Sequence, residues 1–260
     1  MTRRERILGW SLELGIPPVA LALLAIWSAG RHSPYFPPLT DVWAAFRDTW
    51  LFERLTNDAV PSVARMTAGL ALAVAAGVAA GVPLGRAPRA RRAVTPLIEF
   101  LRAIPPPALL PAAIVAIGVG DRMKIALIAF VCVWPVLLNA IDGAAGLDPT
   151  LDDTARAYGI GRNSRLRRVV LPAAAPQIFA GVRHAVSLAL IVMVISEMVA
   201  STNGVGHQIL QAQRTFATAE MWSGVALLGI LGYALNALLA AIERHALRWH
   251  RAANRSALNG

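Results

Sequence analysis

The feature that most restricts this chain is a rhythm. Apolar runs recur at 61–84, 94–119, 125–141, 173–200 and 221–242, with a shorter one at 17–30, and arginine-rich stretches separate several of them. A bilayer crossing takes about 20 apolar residues. A spanning backbone must satisfy its own polar groups, which in such runs means helix. The composition agrees, with 56% hydrophobic and only 15% charged residues. The pattern predicts an all-α membrane protein of about six transmembrane helices in a single domain over 1–260. The first run is short, and lengthening it to 12–30 brings Glu13 to its edge. Behind the basic MTRRERILGW it imitates a secretory signal, but no good cleavage site follows, so it reads as an uncleaved anchor.

The net charge of +10 would suit a nucleic-acid binder, but its distribution argues otherwise. The arginines gather at the N-terminus, at 86–92, at 143–172 and in the tail, without the interleaved aromatics that stack bases. The stretches at 31–60, 118–124 and 201–220 hold few basic residues. Positive charge stays inside, so both termini are expected in the cytoplasm. The outer stretch 31–60 should carry a short amphipathic helix near 40–55, and 118–124 a tight turn.

Chemistry on this chain is hard to find. Lys124 is the only lysine and is flanked by Met123 and Ile125, so there is no phosphate-binding loop. Neither HExxH nor GxSxG occurs. His184, His207 and His245 lack second ligands at metal spacing, and Cys132 has no cysteine to pair with. No catalytic or metal site is expected, and if ATP drives this protein another chain must bind it.

Two runs carry unusual residues. In 61–84 and just beyond, Gly69, Ala73, Gly77, Gly81 and Gly85 recur every fourth residue, which puts them on one helix face for close packing. The run at 94–119 carries Glu99 and Arg102, then Pro105, Pro106, Pro107 and Pro111. No continuous helix survives three successive prolines, and broken backbone at membrane depth must be buried in protein or line a cavity. Glu99 and Arg102 share a face and can pair. Intramembrane charge marks a path more often than chance. The candidate path residues are Glu99, Arg102, Pro105, Pro106, Arg183, Ser187, Met193 and Glu197. Arg183 has no acidic neighbour at helical spacing and reads as the freer charge, or as a side chain snorkelling to the inner interface. Glu197 could also cap the outer loop.

The stretch DDTARAYGIGRNSRLRRVVLP at 152–172 lies on the predicted cytoplasmic side. It reads as a short helix at 154–158 capped by Asp152 or Asp153, a turn at Gly159 and Gly161, and a second helix capped by Asn163 or Ser164 and ended by Leu171-Pro172. Counting Asp153 as one, Gly159 is seventh, Val169 seventeenth, and Leu171 and Pro172 nineteenth and twentieth. This spacing resembles the EAA loop of permease subunits of ABC importers, with Asp153 and Thr154 standing where Glu and Ala are usual. LRAIPPPALLP is similar to a signature of the nitrate/sulfonate branch, as are the segment Phe-Pro-Pro-Leu-Thr at 36–40 and the Asn-Gly-Val-Gly at 203–206.

The resemblance implies a type I ABC importer (MetI-like) permease fold of the nitrate/sulfonate/taurine/bicarbonate type. It implies a non-catalytic subunit of the bacterial inner membrane, paired with a second copy as a homodimer. Two ATPase subunits would hold ATP and Mg, with no cofactor on this chain, and an external solute-binding protein would deliver a small anionic solute. The residues implied in ATPase coupling are Asp153, Thr154, Ala155, Arg156, Tyr158, Gly159, Arg165, Leu171 and Pro172. Arg162, Arg165, Arg167 and Arg168 could also meet anionic membrane lipid. Two alternatives stand beside this reading. One is the same machinery importing a pyrimidine vitamin precursor or another small organic molecule. The other is an ATPase-independent secondary transporter, against which the loop spacing speaks.

Overall fold

The computed structural model describes residues 35–52 and 54–248, with four isolated positions between 19 and 28. The expected first span at 12–30 therefore lies outside the described residues. Among the described residues four helices are long and apolar enough to cross a membrane, and a bent pair makes a fifth candidate.

Helix α1 (Leu39–Trp50) is the amphipathic outer helix expected near 40–55. A π turn at Leu55–Ala59 leads into α2 (Val60–Gly85). The basic stretch at 86–92 is mostly helix, because α3 (Pro88–Arg102) starts two residues after Arg86, with proline at its first position. The proline cluster acts as expected: α3 and α4 (Pro106–Ile117) meet at 91° across the break. Gly118 and Gly120 turn the chain with φ of 88° and 153°, and α5 (Asp121–Ala145) follows. After α6 (Pro149–Ala157) comes the longest helix, α7, running from Arg162 to Ala200. Finally come α8 (Val205–Arg214) and the long apolar α9 (Thr218–Ala246).

One expectation is corrected here. Leu171-Pro172 does not end a helix. Pro172 has no N–H to give to the carbonyl of Arg168, and a π turn at Leu166–Val170 takes up the mismatch, with the Leu171 N–H donating to the Leu166 carbonyl. The helix therefore runs through, and the second short helix of the loop is the first turn of α7.

The core is α5, gripped on one side by α2 and on the other by α7. The stripe of small residues on α2 faces α5 along its length. Gly69 lies on Ile128, Gly77 on Val136, Gly81 on Ala140 and Gly85 on Ala144. A Cβ at Gly81 would stand 2.7 Å from both the Ala140 Cβ and the Leu137 carbonyl oxygen. On the other side Gly181 of α7 lies against the Pro135 carbonyl and Asn139, and Gly143 of α5 lies against Ala174. Met66, Met123, Ile128, Cys132, Val136, Ala185, Ala189 and Met193 fill the space between the three helices. Helices in lipid gain little from hydrophobic burial against one another, so this close approach is what binds them.

A methyl group at Gly81 has backbone in its way and should cost about 1–3 kcal/mol by overpacking. Gly229 on α9 has nothing within 4 Å of its would-be Cβ. Gly81→Ala should therefore lower the thermal midpoint of the purified protein in detergent, while Gly229→Ala leaves it unchanged. Equal midpoints for the two variants would contradict the packing described.

Candidate functional site

The 152–172 loop is built around a residue that its sequence spacing did not single out. Asp148, not Asp152 or Asp153, caps α6, accepting from the Thr150 N–H at 2.8 Å. Asp152 is thereby free to turn inward, where it is only 5% exposed. Its carboxylate pairs with Arg86 beyond the end of α2, with Arg156 one turn along α6 at 2.8 Å, and with Arg165 at the start of α7 at 3.5 Å. Burial pushes the Asp152 carboxyl upward in pKa, but Arg86, Arg156 and Arg165 outweigh it and hold the group below the usual carboxylate range. One carboxylate thus ties the loop to two core helices.

Asp153, at the first position of the spacing, points away, with a side chain 76% exposed and a loose 4.0 Å approach to Arg156. Ala155 is buried beside Asp152, where only a small side chain fits between helix and bundle, whereas Thr154 is exposed. Gly159 ends α6 with φ of 68°. The Gly159 N–H donates to the Arg156 carbonyl and the Ile160 N–H to the Ala155 carbonyl, the paired bonds of a Schellman cap. On the solvent side Leu151, Tyr158 and Ile160 are exposed, with Tyr158 at 82%, and Leu171 is exposed further along. Exposed aromatic and aliphatic side chains on an arginine-rich loop make a surface suited to a protein partner.

A second polar cluster sits at the opposite end of the same helices. Glu197 is fully buried, and its carboxylate accepts from Ser62 Oγ at 2.7 Å, Arg65 Nη1 at 2.9 Å and the Gly206 N–H at 3.1 Å. Arg65 also donates to Asn203 Oδ1 and pairs with Asp121, both at 2.7 Å. Asp58 accepts from the Gly204 N–H and from Gln208 Nε2, and Lys124 donates to Ser201 Oγ. Gly204 adopts φ of 115° and rests directly on the Glu197 carboxylate. This network straps the segment 201–208 onto α2, α5 and α7. Glu197 is thus a capping group for the segment that follows α7. The strapping role of Asp58, Ser62, Arg65 and Asn203 left no spacing signal in the sequence.

The expected path residues separate. Met193 is 1% exposed and belongs to the core. Arg183 is not a free charge: its Nη2 lies 2.5 Å from Glu243 Oε2 on α9. Spacing along one helix could not reveal a partner from another. Ser187 is exposed on α7. Glu99 and Arg102 are both exposed, and no ion pair joins them among the described residues. Arg102 stands at the elbow of α3 and α4 and borders two cavities. One, of about 290 Å³, is lined by Ile104, Pro106, Phe130, Trp134 and Leu188. The other, of about 230 Å³, adds Arg91, Glu99 and Asp142. Pro105, in extended conformation before α4, makes the elbow. No group of His, Cys, Asp or Glu among the described residues has a metal-binding arrangement.

Residues 73–250 match the family described as binding-protein-dependent transport system inner membrane component. This chain belongs to that family. It is the permease subunit of an ABC importer. Among its relatives is the taurine transport system permease protein TauC of Escherichia coli strain K12, 31% identical over 252 residues, covering 92% of this chain and 90% of that protein. The putative aliphatic sulfonates transport permease protein SsuC of Bacillus subtilis strain 168 is 27% identical, over 93% of this chain and 88% of its own length. The bicarbonate transport system permease protein CmpB of Synechococcus elongatus is 30% identical over 73% of this chain and 68% of its own. In fold the permease is similar to a chain of the MetNI methionine ABC transporter in an inward-facing conformation. The TM-score is 0.61 at 20% identity, over 72% of this chain and 93% of that one.

The low pKa of Asp152 fixes the sign of its pH dependence. Its contribution to holding the loop is present above the unfolded value and is lost as pH falls through the depressed folded value. The permease loop should stay attached through mildly acidic conditions and loosen only below about pH 4. Asp152→Asn should loosen it at neutral pH, seen as several-fold faster tryptic cleavage after Arg156. Cleavage at the wild-type rate would remove Asp152 from its place as the hub.

Proposed function

We propose that this permease forms, as a homodimer, the path for a small oxyanion of the sulfonate class. An external binding protein hands the solute over, and two ATPase subunits, which carry the ATP and Mg, drive the cycle from the cytoplasmic side. The chain itself is non-catalytic, and both termini lie in the cytoplasm with α6 and the arginine-rich loop. The names of the relatives support the solute class, since taurine, aliphatic sulfonates and bicarbonate all present an anionic oxygen group.

The observation that carries the solute reading is Arg102. It is an exposed guanidinium without an ion-pair partner among the described residues, placed where the proline elbow opens two cavities. A guanidinium offers a forked pair of donors to a tetrahedral or planar oxyanion. The Trp134 indole N–H, in the wall of the larger cavity, is a second buried donor lacking an acceptor among the described residues. Ser187 lies on the open face of α7. Arg183, paired to Glu243, braces α7 against α9 and is not given a role toward solute.

Coupling rests on α6. Leu151, Thr154 and Tyr158 form its exposed side, Gly159 stops it, and Asp152 transmits its displacement to α2 and α7. A β-branched residue at Gly159 must adopt a left-handed conformation at a cost of about 1–2 kcal/mol, although the site itself is open.

Both readings are tested in proteoliposomes containing the permease, its ATPase and its binding protein. Arg102→Gln should reduce uptake of a sulfonate at least several-fold while stimulated ATP hydrolysis persists. Gly159→Val should reach the membrane normally but lose coupled ATP hydrolysis. Full sulfonate uptake by Arg102→Gln would end the path assignment, and full coupled hydrolysis by Gly159→Val would end the docking assignment.

A further inference from the structure

The Asp152 hub does not use up the positive charge around it. A cleft of about 440 Å³ opens between the loop and the α2–α3 turn, lined by Arg86, Arg156, Arg162 and Arg165 together with Asn163 and the apolar Pro83, Ala87, Leu166 and Val170. Three of these guanidinium groups share the one buried carboxylate of Asp152, and Arg162 adds a fourth positive charge to the cleft wall. Arg162 makes no ion pair, and Asn163 no side-chain hydrogen bond, among the described residues. Arg165 approaches Asp152 only at 3.5 Å, and Asp152 Oδ1 accepts no hydrogen bond there. Donors of Arg165 and of Arg162 remain available. The first turn of α7 has no side-chain cap either, and it is the positive end of a continuous helix reaching Ala200.

We propose that this cleft is a cytoplasmic binding site for an oxyanion of the phosphoryl class, separate from the solute path, and that its occupancy clamps the coupling loop onto the α2–α3 turn. The chemistry is that of convergent guanidinium forks on tetrahedral oxygens, where charge-assisted hydrogen bonds are strongest. The anion neutralises repulsion that Asp152 alone leaves uncompensated. It bridges Arg86 at the end of α2 to Arg162 at the start of α7, alongside the link that Asp152 already makes. The cleft is roomier than a bare oxyanion requires, and its apolar wall is formed at the end of α2 and the start of α7. The oxyanion is therefore either a phospholipid head group or a free cytoplasmic anion.

The test uses the purified full-length permease and three variants. Arg162→Gln removes a cleft donor without touching Asp152, Arg162→Lys keeps the charge but loses the fork, and Arg167→Gln removes a nearby exposed arginine outside the cleft. Inorganic phosphate is titrated in detergent against chloride at equal ionic strength, with the thermal midpoint as readout. Retention of phosphatidylglycerol over phosphatidylcholine is measured by native mass spectrometry. A saturable midpoint rise with phosphate, weakened roughly tenfold in Arg162→Gln, identifies a free anion. Retained phosphatidylglycerol that Arg162→Gln loses identifies a lipid head group. Arg162→Lys should fall between, and Arg167→Gln should match the wild type in either arm. Absence of both effects overturns the proposal, as does equal loss in Arg162→Gln and Arg167→Gln, which would make the region a diffuse basic patch. Loss of ATPase co-purification in Arg162→Gln without any anion effect would overturn it too, assigning the cleft to the protein partner.

Discussion

Everything in this permease hangs on how closely α2 and α5 approach. Without a Cβ at Gly69, Gly77, Gly81 and Gly85, the backbone of α2 lies directly on the side chains and carbonyls of α5. In lipid such contact replaces the hydrophobic drive that would assemble helices in water. Gly143 and Gly181 repeat the device between α5 and α7. The three helices form a unit whose ends are held in fixed relation, and both polar clusters are mounted on those ends.

The two clusters differ in kind. At one end Glu197, Arg65, Ser62 and Asn203 bond to one another and to the backbone of the 204–206 turn. A buried charge costs heavily unless paired and hydrogen-bonded, so this strap has little freedom to move. At the other end Asp152 is outnumbered by arginines, and the loop it holds is largely exposed. A link made by a few charged contacts on a solvated loop can shift while the glycine-packed helices stay together. That contrast sets a rigid strap at one end of the helices against an adjustable loop at the other.

The elbow at Ala103–Pro105 has a different dependence. Prolines dictate that the helix stops, but the angle between α3 and α4 is set by how each rests on α5. Arg102 reaches the cavities because α3 ends there, one residue before the break. The pairing with Glu99 that spacing allows does not form, and both side chains are exposed. Arg183, by contrast, finds Glu243 sixty positions away.

The sequence by itself determined the helices, the break and the arginine-rich loop at 152–172. Apolar runs, the glycine stripe, the proline cluster and the fixed offsets from Asp153 to Pro172 are local patterns, and local patterns obey helix geometry and bilayer thickness whatever surrounds them. Boundaries were less legible: Asp148 took the cap expected of Asp152 or Asp153, and a π turn carried α7 through Leu171-Pro172. Only the tertiary structure decided which charges meet. Arg86 with Asp152, Arg65 with Glu197 and Arg183 with Glu243 each join residues far apart in the chain. A charge carries no mark of its partner, because Coulomb attraction depends on distance in space, and that distance exists only once the glycine faces have set the helices side by side.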